Sequence, residues 1–186
     1  LWGWSRDNKY LYYSSNKRDS KYFDLYKMDT VKWGPEMIYK NDKGFDVGAI
    51  SKNERYFALV ENLTTSSNNI FLFDNQTKRT IKLNPENAET SNAPLQFSLD
   101  NNTLYYLTND GSEFTYVMKY DITTGEKEKL YEAKWDVVWM TLSYNEKYRV
   151  IYVNEDAQNK LHLFDQKTGK ELDFPKIEDG TIQGVN

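Results

Sequence analysis

Phe97-Ser98-Leu99-Asp100-Asn101-Asn102-Thr103-Leu104-Tyr105-Tyr106-Leu107-Thr108-Asn109 begins as a tight turn, continues as a strand and stops at a second turn. The pattern occurs four times. The other copies open at Trp4-Ser5-Arg6-Asp7, Ile50-Ser51-Lys52-Asn53 and Leu142-Ser143-Tyr144-Asn145, so the serines Ser5, Ser51, Ser98 and Ser143 stand 46, 47 and 45 residues apart. A fixed period of this length marks a repeat architecture. Eleven residues after each serine comes an asparagine: Asn16, Asn62, Asn109 and Asn154. Some twelve residues further on, an aspartate closes an apolar run: Asp29, Asp74, Asp121 and Asp165. Asp and Asn bond to their own following backbone, and Gly supplies positive φ, so Asp121-Ile122-Thr123-Thr124-Gly125 and Asp165-Gln166-Lys167-Thr168-Gly169 read as plain turns.

Apolar runs between turn residues at fixed offsets give each repeat four strands. The first runs are 1–4, 47–50, 93–97 and 137–142; the second are 10–15, 56–61, 104–108 and 148–153. The third are 23–28, 70–73, 115–120 and 161–164. The fourth, weakest and rich in Lys and Glu, are 36–39, 80–83, 128–131 and 171–174. Charge on that last strand suits an outer edge, where it discourages edge-to-edge pairing. In the third strand Met28, Phe73, Tyr120 and Phe164 share a face with Tyr26, Phe71, Met118 and His162, while Lys27 and Lys119 lie on the other face. Four-stranded antiparallel units of this period are blades of a β-propeller. The fold class is therefore all-β, with about four blades near 1–43, 44–90, 91–133 and 134–178. Residues 179–186 read as the start of a fifth repeat. The expectations this leaves open are a piece of a larger propeller, a self-closing four-bladed ring, or a homodimer whose halves close one ring.

Composition supports this reading. Mean hydropathy is −0.82, yet 16% of residues are aromatic, including fifteen tyrosines. Disordered chains are poor in aromatics, and Tyr, Phe, Trp, Val and Thr suit pleated, half-buried surfaces. The net charge of −4 comes with mixed signs and no basic block, which argues against nucleic acid as a partner. The absence of cysteine excludes disulfides, thiolate catalysis and thiolate-ligated zinc. No apolar run approaches the roughly 20 residues of a membrane helix. No leader peptide is visible, although a chain that opens within a repeat could have had one cut away.

With these residues in view, Trp4-Ser5-Arg6-Asp7-Asn8-Lys9-Tyr10-Leu11 and Phe97-Ser98-Leu99-Asp100-Asn101 resemble the "WSPDGK" blade repeat of TolB-like propellers. The runs Gly111–Phe114, Tyr120–Gly125, Trp135–Val137, Val153–Asp156 and Leu163–Gly169 resemble the propeller of bacterial prolyl oligopeptidase-family serine peptidases. The consensus Pro is replaced by Arg6, Lys52, Leu99 and Tyr144, and the Gly by Asn8, Glu54, Asn101 and Glu146. These exchanges weaken the turn signal without touching chemistry, since this part of the family carries none. The resemblance implies a non-catalytic, substrate-gating lid over a separate α/β-hydrolase domain. It also implies peptide substrates and a bacterial cytoplasmic or periplasmic setting, which composition leaves open. The alternative is a stand-alone TolB-like propeller acting as a protein-interaction scaffold.

The residues themselves offer little chemistry. No G-x-S-x-G elbow is present, and four equivalent turn serines are structural rather than nucleophilic. His162, the single histidine, occupies a packed strand position and cannot form a three-ligand zinc site unaided. Catalytic, cofactor and metal residues are therefore not expected. Trp2, Trp4, Trp135 and Trp139 lie on or beside first strands, where core packing is expected, with Trp135 and Asp136 as candidates for the rim of a peptide-admitting mouth.

Overall fold

The computed structural model describes residues 3–86 and 89–174. It contains four antiparallel sheets of four strands, each built from consecutive strands. The first is β1 (Gly3–Trp4), β2 (Tyr10–Asp19), β3 (Tyr22–Asp29) and β4 (Pro35–Tyr39). The second is β5 (Asp46–Ile50), β6 (Tyr56–Asn62), β7 (Asn68–Asp74) and β8 (Arg79–Lys82). The third is β9 (Asn92–Phe97), β10 (Thr103–Thr108), β11 (Tyr116–Asp121) and β12 (Lys127–Tyr131). The fourth is β13 (Val137–Leu142), β14 (Tyr148–Glu155), β15 (Gln158–Asp165) and β16 (Glu171–Leu172). Among the described residues there is no helix. The proposed fifth repeat, 179–186, lies outside the described residues, as do Trp2 and the end of the fourth unit.

The turn joining the first two strands is the same in all four sheets. The serine hydroxyl accepts the backbone N–H five residues on, at 2.9 Å in Ser5, 2.8 Å in Ser51, 2.9 Å in Ser98 and 3.0 Å in Ser143. The hydroxyl donates to Asp7, Asn53, Asp100 and Asn145 respectively. The next residue is left-handed, with φ of 58° at Asn8, 57° at Glu54, 63° at Asn101 and 55° at Glu146.

The aspartates close the turn after the third strand. Asp29, Asp74 and Asp121 each accept the N–H groups two and three residues on, and Asp165 accepts that of Thr168. The four asparagines are not equivalent. Asn62 bonds to Asp46 (2.8 Å), Asn109 accepts the Ser91 N–H (2.8 Å), Asn16 reaches the Ser20 carbonyl, and Asn154 pairs within a hairpin opposite Asn159.

Three apolar clusters lie between successive sheets. Leu25, Tyr39, Phe57 and Leu59 join the first to the second. Ile70, Leu72, Phe97 and Leu104 join the second to the third. Val117, Val137, Met140 and Ile151 join the third to the fourth. Burying each such side chain contributes roughly 1.5–3 kcal/mol. The third strand is apolar on both faces. Phe71 and Phe73 pack toward the first sheet, and Ile70 and Leu72 toward the third. Leu25 and Val117, on the face that carries Lys27 and Lys119, are fully buried.

At the end of the inner strands away from the serine turns, each connecting loop is pinned to the head of the preceding third strand. Asn41 donates to the carbonyls of Phe23 (3.2 Å) and Phe45 (2.7 Å). Asn92 donates to the Asn68 carbonyl (2.9 Å), and Val137 N–H to that of Thr115 (3.0 Å).

Candidate functional site

The inner strands β1, β5, β9 and β13 bring their serine turns to one opening. The residues standing in place of the consensus proline, Arg6, Lys52, Leu99 and Tyr144, all line it, around a cavity of about 460 Å³. A second cavity of about 210 Å³ continues between the first three sheets past Trp4, Gly48 and Leu95.

The residues in the glycine position have a role that turn chemistry alone does not reveal. Glu54 accepts Tyr12 Oη at 2.8 Å and Lys27 Nζ at 2.9 Å from the preceding sheet. Asn101 Oδ1 accepts the Asn53 N–H of the preceding turn at 3.0 Å, and Glu146 Oε1 accepts that of Leu99 at 2.7 Å. Three of the four exchanges, Glu54, Asn101 and Glu146, thus tie their turns back to the sheet before, while Asn8 is exposed. At these three positions an L-residue is held left-handed while its side chain bonds between sheets. Burial raises the Tyr12 phenol above its ordinary pKa, and its hydrogen bond to Glu54 adds to the rise. Burial alone would lower the Lys27 ammonium, but Glu54 and Glu36 outweigh it. Burial raises the Glu146 carboxyl despite the Leu99 N–H.

The two cations at the mouth are placed differently. Arg6 lies 4.2 Å from the Tyr144 ring centroid and donates to the Tyr144 carbonyl at 3.3 Å, linking the first and fourth turns across the opening. Lys52 forms no ion pair among the described residues.

The tryptophans of the inner strands are not core residues. Trp4 is 59% exposed, Trp139 49% and Trp135 43%. An inner strand has a neighbour on its outer side only, so a side chain directed at the axis stays wet. Trp135 and Asp136 precede β13 while Tyr144 follows it, which puts them at the opposite end of a strand about 20 Å long. Asp136 is engaged there, accepting the Thr115 N–H (2.9 Å) and hydroxyl (3.1 Å).

His162 is on β15, away from the mouth. Its Nδ1 is 2.7 Å from Glu171 Oε1, its Nε2 3.9 Å from Glu155 Oε1, and its ring 5.8 Å from that of Tyr131. Neither nitrogen meets a serine. Among the described residues, no three His, Cys, Asp or Glu side chains converge as a metal site would require.

Four-stranded blades arranged around an axis define a β-propeller. The model of the prolyl oligopeptidase N-terminal beta-propeller domain matches residues 2–186, and the chain belongs to that family. In this family the propeller is the non-catalytic domain. No curated protein sequence matches the chain. Among solved structures, TolB from Acinetobacter baumannii superposes with a TM-score of 0.68 at 18% identity, over 91% of this chain and 41% of that one. Prolyl oligopeptidase B from Galerina marginata gives 0.67 at 18% identity, over 91% of this chain and 26% of that one. A structure from a study of two prolyl endopeptidases gives 0.70 at 12% identity, over 98% of this chain and 29% of that one. The chain thus spans well under half the length of these three structures, and at such identities the likeness is one of fold.

Proposed function

We propose that the chain is the gating wall of a prolyl oligopeptidase-like serine peptidase, restricting which peptides reach a separate hydrolase domain. The observation that carries this is the mouth itself. Four turns present one side chain each to a single opening, and side chains running from sheet to sheet hold them in register. A lid needs a rigid rim of defined width, and this arrangement supplies one.

The test uses the complete gene product with any cysteine outside the chain replaced by serine, the chain itself having none. Cysteines replacing Lys52 and Tyr144, on the second and fourth turns, bridged by a short bis-maleimide, place a strap across the opening. Turnover of peptides should fall on bridging and be restored when a cleavable bridge is cut. Turnover indifferent to the bridge would overturn the reading. Complete absence of peptide hydrolysis by the gene product would instead favour the scaffold alternative, which rests on the fold shared with TolB.

A further inference from the structure

We infer that the mouth recognises peptide carboxylates, with Arg6 and Lys52 as their partners and Trp4 and Tyr144 as the apolar walls beside them. The inference rests on the gating reading for the ligand being a peptide; its charge preference is argued from the site. Arg6 and Lys52 line both cavities of the opening and share a third with Asp7 and Glu54; among the described residues neither is in ion-pair contact with a carboxylate, although Glu146 feels the charge of both. Arg6 is not idle. Stacking on Tyr144 and one hydrogen bond to its carbonyl hold the guanidinium in a fixed plane, which leaves further N–H donors for a ligand.

Nearby acids are already engaged. Glu146 accepts the Leu99 N–H, Asp7 accepts from Ser5 and Lys9, and Glu54 holds Tyr12 and Lys27. Two cations against the lone carboxylate of Glu146 leave the lining of the 460 Å³ cavity positive in a chain whose net charge is −4, while Asp7 and Glu54 balance the same cations in the cavity beside it. The surface at large repels an acidic peptide while the mouth attracts it, so the opening concentrates such ligands. Trp4 and Tyr144, 59% and 75% exposed, offer ring faces to the residues flanking the carboxylate.

The test is calorimetric titration of the 186-residue chain with three short peptides. One carries glutamates and an amidated end, one carries glutamines in their place, and one is neutral with a free C-terminus. The glutamate peptide should bind about tenfold tighter than the glutamine peptide at low salt. That preference should shrink as ionic strength rises toward about 0.3 M. Binding of the third peptide at similar strength would assign the site to chain termini; its failure would assign it to acidic side chains. Lys52→Gln, which leaves the Arg6–Tyr144 contact intact, should erase most of the preference, and Arg6→Gln likewise. Lys9→Gln, at a cation already paired with Asp7, should leave it unchanged. Equal binding of the glutamate and glutamine peptides, or a preference untouched by Lys52→Gln, would overturn the inference. If the charge preference fails while the maleimide bridge still slows turnover, gating stands without it. If the preference holds and the bridge has no effect, the mouth binds peptides without being their route.

Discussion

Asn8, Glu54, Asn101 and Glu146 pose one question with different answers. All four hold a left-handed backbone, which costs an ordinary L-residue roughly 1–2 kcal/mol and suits Gly. Where the side chain has nothing else to do, glycine should be accepted. Asn8 is exposed, so Asn8→Gly is expected to change stability by less than about 0.5 kcal/mol. At Glu54 the same change relieves the backbone but strips the half-buried Lys27 and Tyr12 of their partner. Glu54→Gly should therefore destabilise by about 1–2 kcal/mol, because an abandoned, partly buried donor outweighs the relief. Urea midpoints of the two variants decide it. A Glu54→Gly protein as stable as the parent would mean that the tie contributes nothing.

The individual sheets depend on carboxylates held ionised. Asp24 is fully buried, gripped by Arg18 through two bonds of 2.7 and 2.8 Å and by the Asn41 N–H at 2.8 Å. Arg18 above all, with the Asn41 N–H, keeps it below the ordinary carboxylate range despite burial. At Asp74 burial pushes upward, but Arg55 and the N–H groups of Thr77 and Gln76 prevail, and its pKa falls to about 2. Hydrogen bonds lower Asp100 in the same way, from Ser98 first. A depressed folded-state pKa contributes stability that is present above the unfolded value near 3.8 and lost as pH falls through the folded one. Melting temperature should therefore hold at mildly acidic pH and drop steeply between about pH 4 and 2. Asp24→Asn should cost about 2–4 kcal/mol at neutral pH, by leaving Arg18 with only its longer, more exposed ion pair to Asp42 at 3.4 Å, and should flatten part of the acid limb. An unchanged acid limb in that variant would sink the assignment of the pair as a main tie of the first sheet.

Across the whole molecule, sheets adhere through their faces, and this governs how much the sequence disclosed. Strand positions were legible because turn residues at fixed offsets punctuate apolar runs, and each turn closes on itself within five residues. The ties through Glu54 were not, since they span 42 residues to Tyr12 and 27 to Lys27. Nor was the exposure of Trp4 and Trp139 apparent, because an axis-facing position and a core position share the same alternating pattern. The site was half legible: the departures from the turn consensus stood out, but only the convergence of four turns shows that Arg6, Lys52, Leu99 and Tyr144 meet. The inner strands β5 and β9 come close together at Gly48, on β5, where an added Cβ would stand 2.6 Å from Cγ and 2.9 Å from Cβ of Pro94 on β9. Pro94 is a rigid ring within a strand and cannot swing away, so Gly48→Ala must push the second and third sheets apart. Overpacking of this kind typically costs about 1–3 kcal/mol. Because Gly48 also lines the inner cavity, the separation should appear at the mouth as well. The variant should lose stability and, in the complete gene product, admit longer peptides than the parent. Pro94→Ala added to Gly48→Ala should recover much of both, since it removes the ring that the new methyl strikes. If the double variant is no better than the single one, the close approach of β5 and β9 does not set the width of the opening.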